Sequence, residues 1–445
     1  MKFLIKHRFA LAIIIVIITF FIIAPIVLPR YSTRLLMISL LMLVELYCWI
    51  IIKKGFPKLF NKKLLNAVVF IGFWLPLFSI LVFVIVALFH PIHYWTPPIF
   101  VYVFGALITY YTAKLIFLVF LLISEIVFFF TIIFKWIFKQ DIFLHNRFRR
   151  PFIKVGFVLG MILFGLIILG NFLWVYDFKV HEVELSFTNL PKEFDGLKIV
   201  QISDVHLGSM LSDKPMNKAL QIIDSLHPDL IFFTGDLVNN YSGEAYRFEN
   251  ILSKFKAPMG VFSILGNHDY GDYIPWDSPE AKVKNLKDLV DFQKKIGWNL
   301  LLNQHQIIQK DSSEIAIIGI ENWSISNHFP RKGDINKASM HTDSIPFKLL
   351  LSHDPTAWGP HITVANKIDI TFSGHTHGMQ FGIETKSFRW SPAAWIYTHW
   401  AGIAERDDAA ANKQYLYVNA GLGCIGIPSR VGIYPEITLF VLKHK

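Results

Sequence analysis

Cysteine is scarce in this sequence, because only Cys48 and Cys424 occur among its 445 residues. Cys48 lies inside a hydrophobic run and Cys424 lies near the C-terminus, so their spacing defines no disulfide framework. The two thiols do not identify the redox compartment either. A structural zinc site built from cysteines is also disfavoured. We therefore expect any metal site in this chain to use oxygen and imidazole ligands.

Acidic residues are scarce before Asp177, where only Glu45, Glu125 and Asp141 accompany 17 lysines and arginines. From Asp177 onward the chain has 26 basic and 30 acidic residues, so the net charge of +10 comes from the first part. That positive charge lies between hydrophobic runs, which is typical of membrane topology. Since the second part is slightly acidic, we expect no nucleic-acid partner. The sequence identifies no protein partner.

Charged residues make up only 17% of the chain and apolar residues 53%, a composition too apolar for an ordinary soluble protein. Residues 1–176 are predicted to be a transmembrane region of about five helices, and residues 177–445 a separate domain. The first run follows Lys2, Lys6 and Arg8 but has no small-residue cleavage site, which favours an uncleaved helix over a signal peptide. Five runs are long enough to cross a bilayer: Phe9–Leu28, Leu35–Ile52, Ala67–Phe89, Leu115–Phe134 and Val155–Tyr176.

The fourth run is ambiguous, because Ile99–Ala113 is also apolar and leads into it through Lys114. One long helix is the preferred interpretation, and a helical hairpin is the alternative. With five spans, fourteen basic residues fall on the side of the N-terminus, while the other side has Arg30 and Arg34. The positive-inside tendency then predicts a multi-pass protein of the cell membrane with its second domain on the non-cytoplasmic side.

Two carboxylates, Glu45 and Glu125, lie within the predicted spans. An intramembrane carboxylate is a functional candidate by default. A helix–helix contact is the plainer interpretation, and we favour it.

The second domain alternates short strands with helical patterns, which predicts an α/β architecture. Helical spacing occurs in Asp213–Leu226 and Glu244–Phe255. Side chains that follow such strands gather at the carboxyl edge of the sheet. The predicted strands are Lys198–Ser203, Leu230–Thr234, Val261–Leu265, Ile315–Ile320, Leu349–Ser352, Ile368–Ser373 and Leu416–Asn419.

Polar clusters follow nearly every one of these strands, and together they contain seven oxygen and imidazole ligands. Each cluster alone is explained as well by a polar turn, but all of them on strand ends are hard to explain that way. Mixed nitrogen and oxygen ligands suit Mn²⁺, Fe or Zn²⁺. Seven ligands exceed one tetrahedral ion and suit two ions that share a carboxylate. The candidate ligands are Asp204, His206, Asp236, Asn267, His353, His375 and His377.

The same residues, with Gly235, Gly266, His268, Asp269 and Gly374, resemble the signature of the calcineurin-like metallophosphoesterases from Leu197 to Leu442. The resemblance implies a four-layer α/β/β/α sandwich, an enzyme that hydrolyses phosphoric esters, and two divalent metal ions, with manganese preferred. The segments Gly421–Gly423, Pro428–Arg430 and Pro435–Ile437 resemble a membrane-associated subgroup. That subgroup includes transmembrane proteins with this domain and UDP-2,3-diacylglucosamine pyrophosphatases of lipid A synthesis.

The resemblance also implies roles. The first metal is assigned Asp204, His206 and His377, the second Asn267, His353 and His375, and Asp236 bridges both. A hydroxide between the metals attacks phosphorus. His268 is expected to be the general acid, and Asp269 either orients its imidazole or is a solvated turn residue.

Two aromatic segments are not explained by these roles, Tyr270–Trp298 and Phe388–Trp400. The second contains Trp390, Trp395, Tyr397 and Trp400. Such side chains can meet a lipid interface or an acyl chain, but capping of the core is the favoured interpretation. Arg389 and Arg430 are candidates for binding a substrate phosphate.

The leading hypothesis is therefore a membrane-anchored phosphomonoesterase or phosphodiesterase whose substrate includes lipid-linked phosphates. A UDP-2,3-diacylglucosamine pyrophosphatase is the first alternative, and its cytoplasmic substrate requires the opposite topology. A non-catalytic membrane receptor or sensor is the alternative from another class.

Overall fold

The computed structural model describes residues 15, 18, 22, 32–56, 62–89, 97–139, 144–385, 387–408 and 412–445. These residues fall into two compact units. One contains the described residues of Met1–Ile92 and Leu107–Gly165, and the other those of His93–Ala106 and Leu166–Lys445.

The described residues of the N-terminal region are mostly helical, as its composition predicts. Apart from three single residues, the predicted span Phe9–Leu28 lies outside the described residues. Three described helical stretches are long and apolar enough to cross a membrane: Lys63–Val86, Val101–Phe138 and Pro151–Trp174. The helices are α1 (Ser32–Gly55), α2 (Lys63–Phe89), α3 (Pro97–Phe138) and α4 (Leu144–Leu169), the last of which continues as a π-helical turn over Gly170–Trp174.

Helix α3 settles the ambiguity of the fourth predicted span, because it runs for 42 residues without a break. The preferred single helix is confirmed, and the hairpin is wrong. Within the first unit, the Lys114 ammonium of α3 pairs with the Glu45 carboxylate of α1, and both side chains are buried. Glu45 therefore makes the helix–helix contact that the sequence favours.

The second unit contains two six-stranded sheets. The strand order is β1-β14-β2-β3-β4-β5 in the first sheet and β12-β13-β9-β8-β7-β6 in the second. The first sheet contains β1 (Lys179–Phe187), β2 (Leu197–Ile202), β3 (Leu230–Phe233), β4 (Val261–Ser263), β5 (Asn299–Leu300) and β14 (Glu436–His444). The second contains β6 (Gln304–Lys310), β7 (Ser313–Gly319), β8 (Lys348–Leu351), β9 (Ile370–Ser373), β12 (Gly402–Asp407) and β13 (Lys413–Val418).

Parallel pairing places the functional loops together. Strands β2, β3, β4 and β5 are parallel neighbours in the first sheet, and β7, β8, β9 and β13 in the second. The carboxyl ends of parallel neighbours share one edge of the sheet. All seven predicted strands are present, with ends that shift by at most a few residues. A small hairpin of β10 (Ile383–Glu384) and β11 (Arg389–Trp390) lies outside both sheets.

Side-chain alternation along the strands builds the layers, since successive residues point to opposite faces. In β2, Ile199 faces the other sheet, while Val200 and Ile202 face the helices. Between the sheets, the ring of Phe372 lies 5.0 Å from the rings of both Phe232 and Phe440. This packing gives the expected α/β/β/α sandwich. Its helices are α5 (Lys214–Leu226), α6 (Gly243–Tyr246), α7 (Glu249–Leu252), α8 (Pro279–Lys295) and α9 (Ile335–Ala338).

One predicted helix is wrong in detail. The segment Glu244–Phe255 forms the two short helices α6 and α7 instead of one. The break lies at Arg247 and Phe248, where the Phe248 N–H donates to the Ala245 carbonyl three residues earlier. Such a tight turn suits only short pieces of helix, and it lets the Phe248 ring enter the core.

Candidate metal centre

The predicted ligands lie in loops that follow five strands of both sheets. Asp204 and His206 follow β2, Asp236 follows β3, Asn267 follows β4, His353 follows β8, and His375 and His377 follow β9. All seven side chains are buried, since even that of His375 is only 5% exposed. The loops thus converge from distant parts of the sequence into one site.

Backbone strain marks these loops. Asp204, His206, Asp236, His375 and His377 all have a left-handed backbone, with φ between +48° and +72°. Residues other than glycine rarely adopt that conformation, and surrounding structure must hold them in it. Five of the seven candidate ligands therefore have a conformation that is typical of functional sites.

The first cluster contains Asp204, His206 and His377, each of which offers a ligand atom within 4.8 Å of the others. His377 Nε2 lies 3.3 Å from Asp204 Oδ1 and 3.0 Å from His206 Nε2. Two imidazole nitrogens and a carboxylate oxygen therefore point at a common position.

The second cluster contains Asp236, His353 and His375, again with ligand atoms within 4.8 Å of one another. The Asn267 amide joins it, because its Oδ1 lies 3.1 Å from His353 Nε2 and 2.7 Å from His375 Nδ1. This is the grouping that the resemblance implies for the second metal.

Asp236 lies between the two clusters. Its Oδ2 is 3.6 Å from His206 Nε2 of the first cluster and 3.2 Å from His353 Nε2 of the second. Its Oδ1 accepts a hydrogen bond from the His268 backbone N–H at 2.8 Å. One carboxylate is thus placed to serve both clusters.

The electrostatics of the site fit bound cations. Burial opposes ionisation of Asp236, but the neighbouring imidazoles outweigh it and hold the pKa of Asp236 well below its usual range. Burial also lowers the pKa of His206, which keeps that imidazole neutral and able to bind metal. His353 becomes the counter-ion: burial would lower its pKa, but Asp236 and Asp204 raise it to about 10. The buried carboxylates thus require positive charge.

The donor set fits the same conclusion. Oxygen and imidazole donors without a thiolate suit Mn²⁺, Fe or Zn²⁺. Both native cysteines are buried, and neither belongs to the two clusters. The residues present therefore fit a pair of divalent ions.

His268 lies at the border of the site and is half-buried. Its Nδ1 is 2.7 Å from the Asn239 carbonyl oxygen, which accepts the hydrogen bond. Its ring lies 4.9 Å from the His206 ring and 4.3 Å from the Tyr273 ring. The carbonyl of Asn239, and not Asp269, orients the imidazole.

The predicted role of Asp269 therefore has to be corrected. It is neither a solvated turn residue nor a partner of the His268 ring, because its buried carboxylate accepts four backbone hydrogen bonds. Oδ2 accepts from Asp236 and Gly266 at 2.9 Å each. Oδ1 accepts from Leu237 at 2.9 Å and Val238 at 3.2 Å. Asp269 fixes the loop that carries Asp236.

The two candidate phosphate-binding arginines have protein partners instead. The fully buried Arg430 guanidinium donates to the carbonyls of Gly423, Ala420 and Gly421. Arg389 pairs with Glu384 at 2.7 Å and lies 3.7 Å from Glu436. The Arg430 guanidinium is therefore closed to a ligand, whereas the Arg389 side chain is 22% exposed and its role in substrate binding stays a prediction. A sequence pattern cannot distinguish such arginines from exposed ones.

Several residues near the ligands escaped the sequence analysis. Asp354 Oδ2 lies 3.5 Å from His375 Nε2, and the Phe329 ring lies 4.9 Å from the His375 ring. Tyr273 and Tyr397, which the sequence leaves without a role, contact the site through hydroxyl groups. The first accepts from Asn267 at 2.7 Å, and the second lies 3.2 Å from His375 Nε2. Among these residues, Asp354 alone could have been suspected from the sequence, because it directly follows the ligand His353.

The calcineurin-like phosphoesterase family matches residues 197–379. Over 307 residues the chain is 30% identical to the uncharacterized metallophosphoesterase YkuE of Bacillus subtilis, covering 66% of this chain and 97% of that protein. It is 27% identical to the transmembrane protein with metallophosphoesterase domain of Danio rerio, covering 60% of this chain and 57% of that protein.

The chain is also 28% identical over 300 residues to the UDP-2,3-diacylglucosamine pyrophosphatase LpxG of Chlamydia muridarum, covering 56% of this chain and 87% of that protein. The family match covers all the loops that carry the candidate ligands, from Asp204 to His377. The protein belongs to the calcineurin-like metallophosphoesterases, and it is a membrane protein with a metal-dependent phosphoester hydrolase domain.

Proposed function

We propose that this protein hydrolyses a phosphomonoester or phosphodiester with two divalent metal ions, of which Mn²⁺ is the preferred choice. The observation that carries the proposal is the position of Asp236, whose Oδ2 lies within 3.6 Å of imidazole nitrogens from both ligand clusters. A shared carboxylate is the feature of two-metal hydrolytic sites.

The candidate ligands divide between the two ions. Asp204, His206 and His377 would hold one ion, and Asn267, His353 and His375 the other, with Asp236 shared between them. Bound ions of this kind lower the pKa of water and neutralise charge on phosphoryl oxygens. Because the ligands are buried and their loops are strained, the protein would hold that charge in a fixed, water-poor position.

His268 is suited to protonate the leaving group. The Asn239 carbonyl holds its Nδ1–H, so Nε2 is the nitrogen that can gain and lose a proton. Its ring borders the ligand His206 without belonging to either cluster. A positioned imidazole next to the leaving oxygen is a common general acid.

Asp269 is a positioning residue. By accepting the N–H groups of Asp236, Leu237 and Val238, its carboxylate holds the left-handed turn from which the shared ligand projects. Its fourth bond, from Gly266, ties that turn to the loop that carries Asn267.

A second comparison supports a proposal for the substrate. The likeness to LpxG favours a lipid-linked phosphoester, and a UDP-2,3-diacylglucosamine is the specific alternative. The charge distribution of the predicted spans favours a multi-pass protein of the cell membrane with its catalytic domain outside. The alternative substrate is cytoplasmic and needs the opposite orientation, so protease protection of the domain in sealed cells would favour it.

The shared carboxylate is tested by Asp236→Asn in the full-length protein in detergent with added Mn²⁺. We expect hydrolysis of a generic aryl phosphodiester to fall about a thousandfold, since charge stabilisation at the phosphoryl group is lost. Asp224→Asn, which changes an exposed carboxylate on α5, is the control and should retain full activity. Full metal-dependent activity in Asp236→Asn would refute the mechanism.

The role of His268 is tested by His268→Asn with two substrates that differ in leaving group. Turnover of an alkyl phosphoester should fall about 10²–10⁴-fold, the usual contribution of general acid catalysis. Turnover of a nitrophenyl ester should fall much less, because its leaving group needs no proton, and metal content should stay at two ions. His227→Asn is the matched control, because His227 is exposed and its φ of +48° suits asparagine. Equal losses on both esters would contradict the assignment.

The positioning role of Asp269 is tested by Asp269→Asn. Either amide orientation leaves two backbone N–H groups facing an NH₂ group, so the variant should lose about 2–4 kcal/mol of stability. Thermal unfolding and Mn²⁺ titration of the full chain measure the two effects, and both stability and metal affinity should fall. Asp291→Asn, which removes only an exposed ion pair with Lys287, should change neither. Unchanged metal affinity in Asp269→Asn would exclude the positioning role.

A further inference from the structure

An exposed apolar surface lies directly after the ligand His377. Trp395 and Ile396 are 77% and 65% exposed, and Ile383, Phe388 and Phe381 are also exposed. We name these five side chains the apolar rim. Single exposed apolar side chains are ordinary, but a group of large ones in one short segment marks an interaction surface.

The segment folds back on itself, which brings the rim together. Ile383 of β10 pairs with Trp390 of β11, and the Trp390 ring lies 5.7 Å from the Trp395 ring. Two charged residues of the hairpin, Glu384 and Arg389, pair with each other at 2.7 Å. Within the described residues of the hairpin, no unpaired charge would have to be buried if the hairpin entered an apolar environment.

Hydrogen bonds tie this segment to the loop 425–431. The Gln380 side chain donates to the carbonyls of Ile427 at 2.8 Å and Ser429 at 3.2 Å, and it accepts from the Ile425 N–H at 2.6 Å. The backbone of Gln380 accepts from Val431, and Gly382 donates to Val431, at 2.8 Å each. The rim and the loop are therefore one connected surface.

The loop 425–431 in turn contacts the end of a candidate membrane span. Ser429 Oγ donates to the Ile167 carbonyl at 2.7 Å, and a side chain at Gly170 would collide with the Arg430 carbonyl. Ile167 and Gly170 belong to the last turns of Pro151–Trp174. A helix of 24 residues is about 36 Å long. The hydrocarbon core is about 30 Å thick. The last turns therefore reach the lipid interface.

We propose that the apolar rim docks onto the lipid bilayer that the helices cross, beside the metal centre. Tryptophan and aliphatic side chains beside paired charges suit the boundary between headgroups and acyl chains. The rim leads directly into the metal centre: Tyr397 follows Ile396 and contacts His375, and Thr376 Oγ1 donates to the Trp400 carbonyl at 2.6 Å.

The docking has one consequence for the substrate, and this consequence rests on the proposed function. A phosphoester whose acyl chains remain in the bilayer could reach the ligands without leaving the membrane. The substrate class would then be lipid phosphoesters presented at the interface, and soluble esters of the same chemistry would be poorer substrates.

The docking is tested without turnover, in the full chain reconstituted in lipid nanodiscs. Spin labels on Trp395→Cys and Ile396→Cys are compared with a label on Val283→Cys, which is 70% exposed on α8. The native cysteines are buried, and the labelled parent protein gives the background. The rim labels should collide with oxygen, which concentrates in lipid, and be shielded from a water-soluble nickel chelate. Nickel accessibility equal to that at position 283 would overturn the docking.

The consequence for substrates is tested by the double variant Trp395→Asp, Ile396→Asp. The ratio of lipid-phosphoester turnover in vesicles to soluble-ester turnover should fall about tenfold, because two charges replace the lipid contact. An unchanged ratio would overturn the assignment of substrate class. Lipid-embedded rim labels combined with an active Asp236→Asn variant would instead refute the two-metal mechanism and leave the docking intact.

Discussion

The structure depends on the cost of burying the carboxylates of Asp204 and Asp236, which must be balanced by positive charge. Neighbouring imidazoles hold Asp236 ionised against the effect of burial, and His353 supplies the positive charge. Two divalent ions would supply that charge and leave every imidazole neutral. The α/β/β/α sandwich serves this requirement, because its two sheets bring strand ends from distant parts of the chain to one place.

Most of the fold and the ligand set could be predicted, because both rest on local patterns. A short apolar run followed by Asp or His can be recognised in the sequence without knowledge of the neighbouring strands. The seven ligands and seven strands are predicted from this pattern. The roles of Asp269 and Arg430 could not be predicted, since each depends on backbone groups that only the folded chain brings near. The division of Glu244–Phe255 into two helices could not be predicted either, because it depends on burial of the Phe248 ring in the core of the folded chain.

The last turns of the candidate span Pro151–Trp174 belong to the same compact unit as the catalytic site. Ser429 contacts the last turns of a candidate span, and Gln380 joins the same loop to the segment after His377. A surface that combines large apolar side chains with paired charges would hold the site at the interface. Within the helices, the buried pair of Glu45 and Lys114 fixes how α1 and α3 pack, since separating either charge from its partner in that environment is costly.

Anomalous diffraction at the manganese edge, from crystals of the full chain grown with Mn²⁺, tests the central claim most directly. We expect two peaks about 3.5–4 Å apart, with the Asp236 carboxylate in contact with both. A single peak, or two peaks of which only one contacts Asp236, would contradict it.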